Sequence, residues 1–353
     1  MSTRTRGRRE RARPVALLVL GVAASLGLAS SVAAGPPPPT STISAAEAAR
    51  AGAGVSVVHH PLPGGDLLEI RAPVDPARVA RSTLHDAAET ARRDALRLLD
   101  ASASGYVALA DDIADPAGGL RIVDTGGMQV HVAMPGVLGA AFGPGQGWLA
   151  AVDGSGHLWR ITVTSGAADR IADGPFAGTL DVAPDGSLLA VELSSVEAPF
   201  ASNLVRVDPE SGATRSLAGD ELGLVFALRA LPDGSVAAVT HRPGSGMDLV
   251  RIENRRVTAQ AALDADAMDP TLSADGTAVA YALAGDGAYL LQRGGHGPVR
   301  LGDGALPRIA PDATSVAVLR GASELVVTAD GMVLETLLSG LVAWARCDGR
   351  CPA

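Results

Sequence analysis

The chain reads as an all-β propeller, and three observations point there: one turn that recurs, its near-regular spacing, and short apolar runs on either side of each copy. The copies are Ala183-Pro184-Asp185-Gly186-Ser187, Leu231-Pro232-Asp233-Gly234-Ser235, Ser273-Ala274-Asp275-Gly276-Thr277 and the degraded Ala310-Pro311-Asp312-Ala313-Thr314. Each reads as a hairpin turn, with Asp-Gly supplying the positive-φ conformation that such turns need. The turn aspartates lie 48, 42 and 37 residues apart, the length of a four-stranded propeller blade.

The register extends both ways. Upstream, Gly143-Pro144-Gly145 interrupts the apolar runs of residues 140–150 with Gly145 in the Asp place; downstream, Leu341–Ala345 runs into Asp348-Gly349. Turns at 145, 185, 233, 275, 312 and 348 predict six blades over residues 102–353. Residues 105–110, 120–124 and 128–132 read as three strands without an inner partner. The C-terminal run is therefore expected to supply that partner, closing the ring by pairing of the C-terminal strand with the N-terminal blade. The composition agrees. With 3% aromatic residues the core must be built from Ala, Val, Leu and Ile, while 42 Gly and 23 Pro mark loops. Asp248–Glu253 and His157–Thr162 alternate with the period of a half-exposed strand.

The pattern apolar-x-(S/A)-P-D-G-(S/T)-x-(L/V)-(A/V) resembles the WD40-like repeat of TolB-type propellers over about residues 102–353. That resemblance implies an extracytoplasmic six-bladed propeller used for protein contacts in the cell envelope, and LpqB-type envelope proteins carry similar repeats. The chain departs from both, with no recognisable TolB-like α/β domain and no Cys near the end of its hydrophobic segment.

Residues 1–34 read as a signal peptide or an uncleaved anchor. Six arginines between Arg4 and Arg13 precede the apolar stretch Val15–Ala34, and Ser31–Ala34 offers small residues at cleavage spacing. Residues 35–50 form a Pro-rich linker opening on Pro36–Pro39, and residues 51–101 an extension with two short strands (Val55–Val58, Leu67–Ile70) and an amphipathic helix over Pro76–Leu99. Because residues 1–33 hold six Arg and one Glu, their removal takes the formal charge from −9 to −14. Such an acidic surface disfavours nucleic acid as a partner. All 29 basic residues are Arg, which removes P-loop lysine, Schiff-base and Ser-Lys chemistry together.

Candidate site residues come from one column of the repeat. Four residues before each turn position stand Ala141, Asp181, Arg229, Thr271, Arg308 and Trp344, flanked by mostly apolar neighbours. Such a column is expected near the central tunnel. Its arginines could grip an acidic peptide end or a small anion, or Asp181 and Arg229 could simply neutralise each other. Cys347 and Cys351 read as a disulfide around the final turn, with a redox or metal role as the alternative. His59 and His60 are adjacent, so on a strand they would point to opposite faces; a loop pair is expected. The run Asp264–Asp269 lacks the Gly and distal Glu of a calcium loop. No catalytic motif, metal site or cofactor is expected. The favoured function is an exported non-catalytic propeller that binds a protein partner in the envelope, tethered to the membrane only if the leader stays uncleaved. The alternative is a lyase- or lactonase-type propeller enzyme with Asp181, Arg229, Asp269, Arg308 and Trp344 at the tunnel mouth.

Overall fold

A computed structural model describes residues 56–62, 65–71, 97–111, 118–195, 201–242, 246–320, 323–328, 333–337 and 342–346. Within them lie 27 strands, β1–β27 in chain order, and one short 3-10 turn at Asp220–Leu222. Six four-stranded antiparallel sheets span residues 97–132, 139–172, 176–218, 224–262, 268–302 and 305–337, and we call these blades one to six. Their inner strands are β3 (Arg97–Ala101), β7 (Gly139–Phe142), β11 (Phe176–Val182), β15 (Leu224–Ala230), β19 (Met268–Leu272) and β23 (Ala305–Ile309). The six-bladed expectation is met.

The manner of closure is different from the expected one. The C-terminal strand β27 (Val342–Trp344) pairs with β2 (Gly65–Arg71), which pairs in turn with β1 (Ser56–Leu62), in the order β1-β2-β27. This three-stranded closing sheet stands between blades six and one. Blade one does not borrow its inner strand, since β3 pairs with β4 (Val107–Ala110) and supplies it locally. Two expectations are thereby corrected: the unit counted at Asp348 belongs to the closing sheet, and Arg97–Leu99, expected to end a helix, begin a strand. Residues 76–96 of that helix, the leader, the linker, Cys347 and Cys351 lie outside the described residues.

Packing shows why this arrangement closes. Seven buried apolar clusters occupy the seven interfaces between consecutive sheets. Successive residues on one strand serve opposite interfaces: Ala140 and Phe142 face blade one while Ala141 faces blade three, and Val236 and Ala238 face blade three while Ala237 and Val239 face blade five. A slip of one residue would exchange every such pair, so the apolar alternation sets the register. At the closing sheet Leu68, Ile70, Ala343 and Ala345 pack on Ala101, Val107 and Leu109 of blade one, while Leu67, Val342 and Trp344 pack on Ala310 and Ala317 of blade six.

The recurring turn is a three-residue loop: Gly186 N–H donates to Ala183 O at 2.8 Å, and Ala183 N–H donates to Ser187 O at 2.8 Å. Only the glycine carries positive φ, +83° at Gly186 and +81° at Gly234. The aspartate has another task. Its Oδ1 accepts the N–H two residues on, at 3.0 Å in the turns of Asp185, Asp233 and Asp275 and 2.9 Å in that of Asp312, which caps the turn as an Asx motif does. In the degraded copy Ala313 occupies the glycine position at φ +62°, where an L side chain is strained. Ala313→Gly should raise unfolding stability by about 0.5–1 kcal/mol, the relieved left-handed strain outweighing the added freedom of the unfolded chain. Denaturant titration would show it as a higher midpoint, and an unchanged or lower midpoint would contradict this account of the turn.

Candidate functional site

Each inner strand leaves one edge facing the tunnel, where its N–H and C=O groups have no ladder partner. Column side chains fill that need from the neighbouring sheet. Asp181 Oδ2 accepts the Ala230 N–H at 2.8 Å. Thr271 Oγ1 accepts the Ile309 N–H at 3.3 Å and donates to Pro307 O at 3.2 Å, and Trp344 Nε1 donates to Arg308 O at 2.8 Å. Asp100 does the same for blade one, accepting the Phe142 N–H at 2.8 Å. It lies four residues before Ser104, just past the helix expected over Pro76–Leu99, so it is a column member that the sequence did not bring out.

A second missed residue is Arg346, just past β27. Its Nε donates to Asp100 at 3.0 Å, and its guanidinium stands 2.6 Å from Asp181 Oδ1. Arg229 is farther away, 3.7 Å from the same oxygen. The tunnel wall thus carries a chain of alternating charge, Asp100, Arg346, Asp181, Arg229. Neutralisation of Asp181 by Arg229, one of the two readings from sequence, is only its weaker half.

Burial raises the Asp181 carboxyl, which is 2% exposed, but the Arg346 and Arg229 charges and the Ala230 N–H outweigh it and hold the group below the usual carboxylate range. Burial likewise opposes the Arg346 cation, and the Asp100 and Asp181 charges overcome it, leaving Arg346 held more firmly protonated than usual.

This cluster floors a cavity of about 580 Å³ on the turn side of the ring. Asp181, Arg229 and Trp344 line it, as do Asp100 and Arg346; Thr271 and Arg308 are not among its lining residues. Arg308 Nη1 instead donates to Pro307 O at 3.0 Å. The rim is made by turn prolines Pro144, Pro184, Pro232 and Pro311. Gln146, at φ 59°, is 9% exposed and its Oε1 accepts the Ser104 N–H at 2.7 Å, tying two turns together. Among the described residues Arg229 makes no hydrogen bond, and its side chain is 27% exposed.

The remaining sequence candidates lie elsewhere. His59 and His60 stand on β1 and not in a loop; His60 Nε2 meets Glu69 Oε2 at 2.9 Å, whereas His59 Nδ1 is 3.8 Å from Asp66. Asp264 accepts the Tyr281 hydroxyl at 2.7 Å, and Asp269 takes φ 49° at the far end of β19, outside the cavity lining. Among the described residues no three His, Cys, Asp or Glu side chains gather as a metal site.

No family model matches the sequence, and no curated protein matches it. Solved structures do. TolB from Acinetobacter baumannii is similar at a TM-score of 0.53 and 20% identity, over 82% of each chain. An oligogalacturonate lyase in complex with manganese gives 0.53 and 11%, over 80% of this chain and 84% of that one. The oligogalacturonate lyase from Vibrio parahaemolyticus gives 0.53 and 12%, over 81% and 85%. At such identities the likeness concerns the fold, which is that of a TolB-like propeller.

The lowered carboxyls make stability depend on acid with a definite sign. Ser187 and Ser235 hydrogen bonds depress Asp185 and Asp233, and the arginines depress Asp181. Groups whose folded pKa lies below the unfolded value of about 3.9 contribute stability above that pH and lose it as pH falls through the folded value. The denaturation midpoint should therefore hold from pH 7 to about 5 and drop below about pH 4, with a shallower drop in Asp181→Asn. A midpoint that rises or stays level from pH 5 to pH 3 would contradict the assignment.

Proposed function

We propose that the chain is an exported, non-catalytic propeller that binds a protein partner in the cell envelope at the tunnel mouth. The observation that carries this reading is how the charges are committed. Asp100, Asp181 and Arg346 hold the ring together, and a carboxylate kept ionised and 2% exposed makes a poor proton donor. What remains at the mouth is a set of turn prolines with Trp344 and the guanidinium of Arg229, whose side chain is 27% exposed and, among the described residues, makes no hydrogen bond. Rigid apolar walls with a forked cation suit an extended segment bearing a carboxylate. The alternative, a lyase- or lactonase-type enzyme, draws support from the fold shared with the two oligogalacturonate lyases.

Fluorescence anisotropy separates the two. Labelled peptides ending in a free carboxylate should bind the purified protein more tightly than their amidated forms, and Arg229→Ala should weaken that binding about tenfold or more, as the loss of a charged hydrogen bond does. Equal binding of both peptide forms would remove the carboxylate reading. Turnover of oligogalacturonate or of a lactone that Arg229→Ala abolishes would replace the binding module with the enzyme.

A further inference from the structure

The turn aspartates of blades three and four each meet an arginine from the third strand of their own blade. Arg206 Nη1 donates to Asp185 Oδ2 at 3.0 Å, and Arg251 Nη2 donates to Asp233 Oδ2. Register explains both pairs. The residue four positions past each aspartate stands opposite the arginine, Leu189 opposite Arg206 and Ala237 opposite Arg251. In blade five the corresponding partners are Val279 and Leu291, so Leu291 stands where an arginine would serve Asp275.

Asp275 is nonetheless kept ionised. Burial raises its carboxyl, but hydrogen bonds from Ser273 Oγ at 2.7 Å, the Thr277 N–H at 3.0 Å and Thr277 Oγ1 at 2.7 Å hold it below the usual carboxylate range. Among the described residues no cation pairs with it. It is also the one turn aspartate that lines the cavity, where Asp100, Asp181 and Asp275 outnumber Arg229 and Arg346 by one negative charge. The blade-five turn leans on blade four just beyond Arg229: a Cβ on Gly276 would lie 2.5 Å from Ala237 Cβ and 3.0 Å from the Leu231 side chain. Leu231 is two residues past Arg229, about 7 Å of extended chain. An anion without a cation and a guanidinium without a hydrogen bond thus share one wall of the cavity, separated by a gap that a lysine stem of four methylenes spans.

We propose that the cavity selects a peptide end with two charges, a free carboxylate on Arg229 and a Lys or Arg side chain within the last two residues on Asp275; the second contact rests on the carboxylate reading of the first. The ligand's cation takes the place of the arginine that blades three and four supply from within. A peptide end carrying only acidic groups would add to the negative charge already in excess there.

Fluorescence anisotropy at low salt tests this on the full chain, with peptides ending in Lys-Ala and in Ala-Lys, each compared with its norleucine counterpart. In wild type, norleucine in place of the better-placed lysine should weaken binding about fivefold, as the loss of an exposed ion pair does. In Asp275→Asn and in Asp275→Ser, both of which keep an oxygen to cap the turn, lysine and norleucine peptides should bind alike, while free ends still bind more tightly than amidated ones. Lysine and norleucine peptides bound alike by wild type, or a lysine preference that survives both variants, would overturn the charge-pair assignment and leave carboxylate binding at Arg229 in place. Equal binding of free and amidated ends by wild type would overturn both.

Discussion

Arg346 is the residue through which the two ends of the ring are held. It follows the last described strand, lies against Asp100 on the blade next to the closing sheet, and reaches across the tunnel to Asp181 on blade three. Apolar packing alone would bring β27 between blades six and one, because Ala343 and Ala345 face one neighbour and Val342 and Trp344 the other. The charge cluster adds direction. Two carboxylates with little access to water need a cation, and a cation supplied from the C-terminal segment places that segment where the tunnel wall requires it.

The same chemistry explains why the column of polar residues exists. A propeller hides its sheet faces but leaves the inner edges bare, and bare N–H groups cannot stay unpaired in a narrow tunnel. Asp100, Asp181 and Thr271 each accept from the next inner strand, and Trp344 donates back to the previous one. Blade two carries Ala141 at this position, buried against blade three. The column thus serves structure first. Among the described residues Arg229 lines the cavity without a hydrogen bond of its own, and the proposed binding reading rests on it.

Much of this was legible in sequence. Pro-Asp-Gly turns are local chemistry, and the strict apolar alternation on either side left little choice of register, so blades two to six could be read directly. The closure was not, because Leu341–Ala345 is an apolar run that suits any antiparallel neighbour, and the selection of β2 over β4 rests on packing between residues nearly 280 positions apart. Strand β3 was hidden by Leu98 falling at a helical spacing from Leu84, Ala88, Ala91 and Ala95. Asp100 could have been found, since it keeps the column's distance from a Ser-Gly turn. Arg346 could not, as it lies two residues beyond the column and acts through a fold that had first to be closed.

The most direct test of the closure is a double-mutant cycle on Arg346 and Asp181, using Arg346→Met, Asp181→Asn and the pair in denaturant titrations at neutral pH. Removing the arginine alone leaves two buried carboxylates without their cation and should cost about 3 kcal/mol. The double variant should then be more stable than the sum of the single losses by at least about 1.5 kcal/mol, the coupling of groups in one network. Losses that add to within about 0.5 kcal/mol would show that Arg346 does not hold the ring through Asp181.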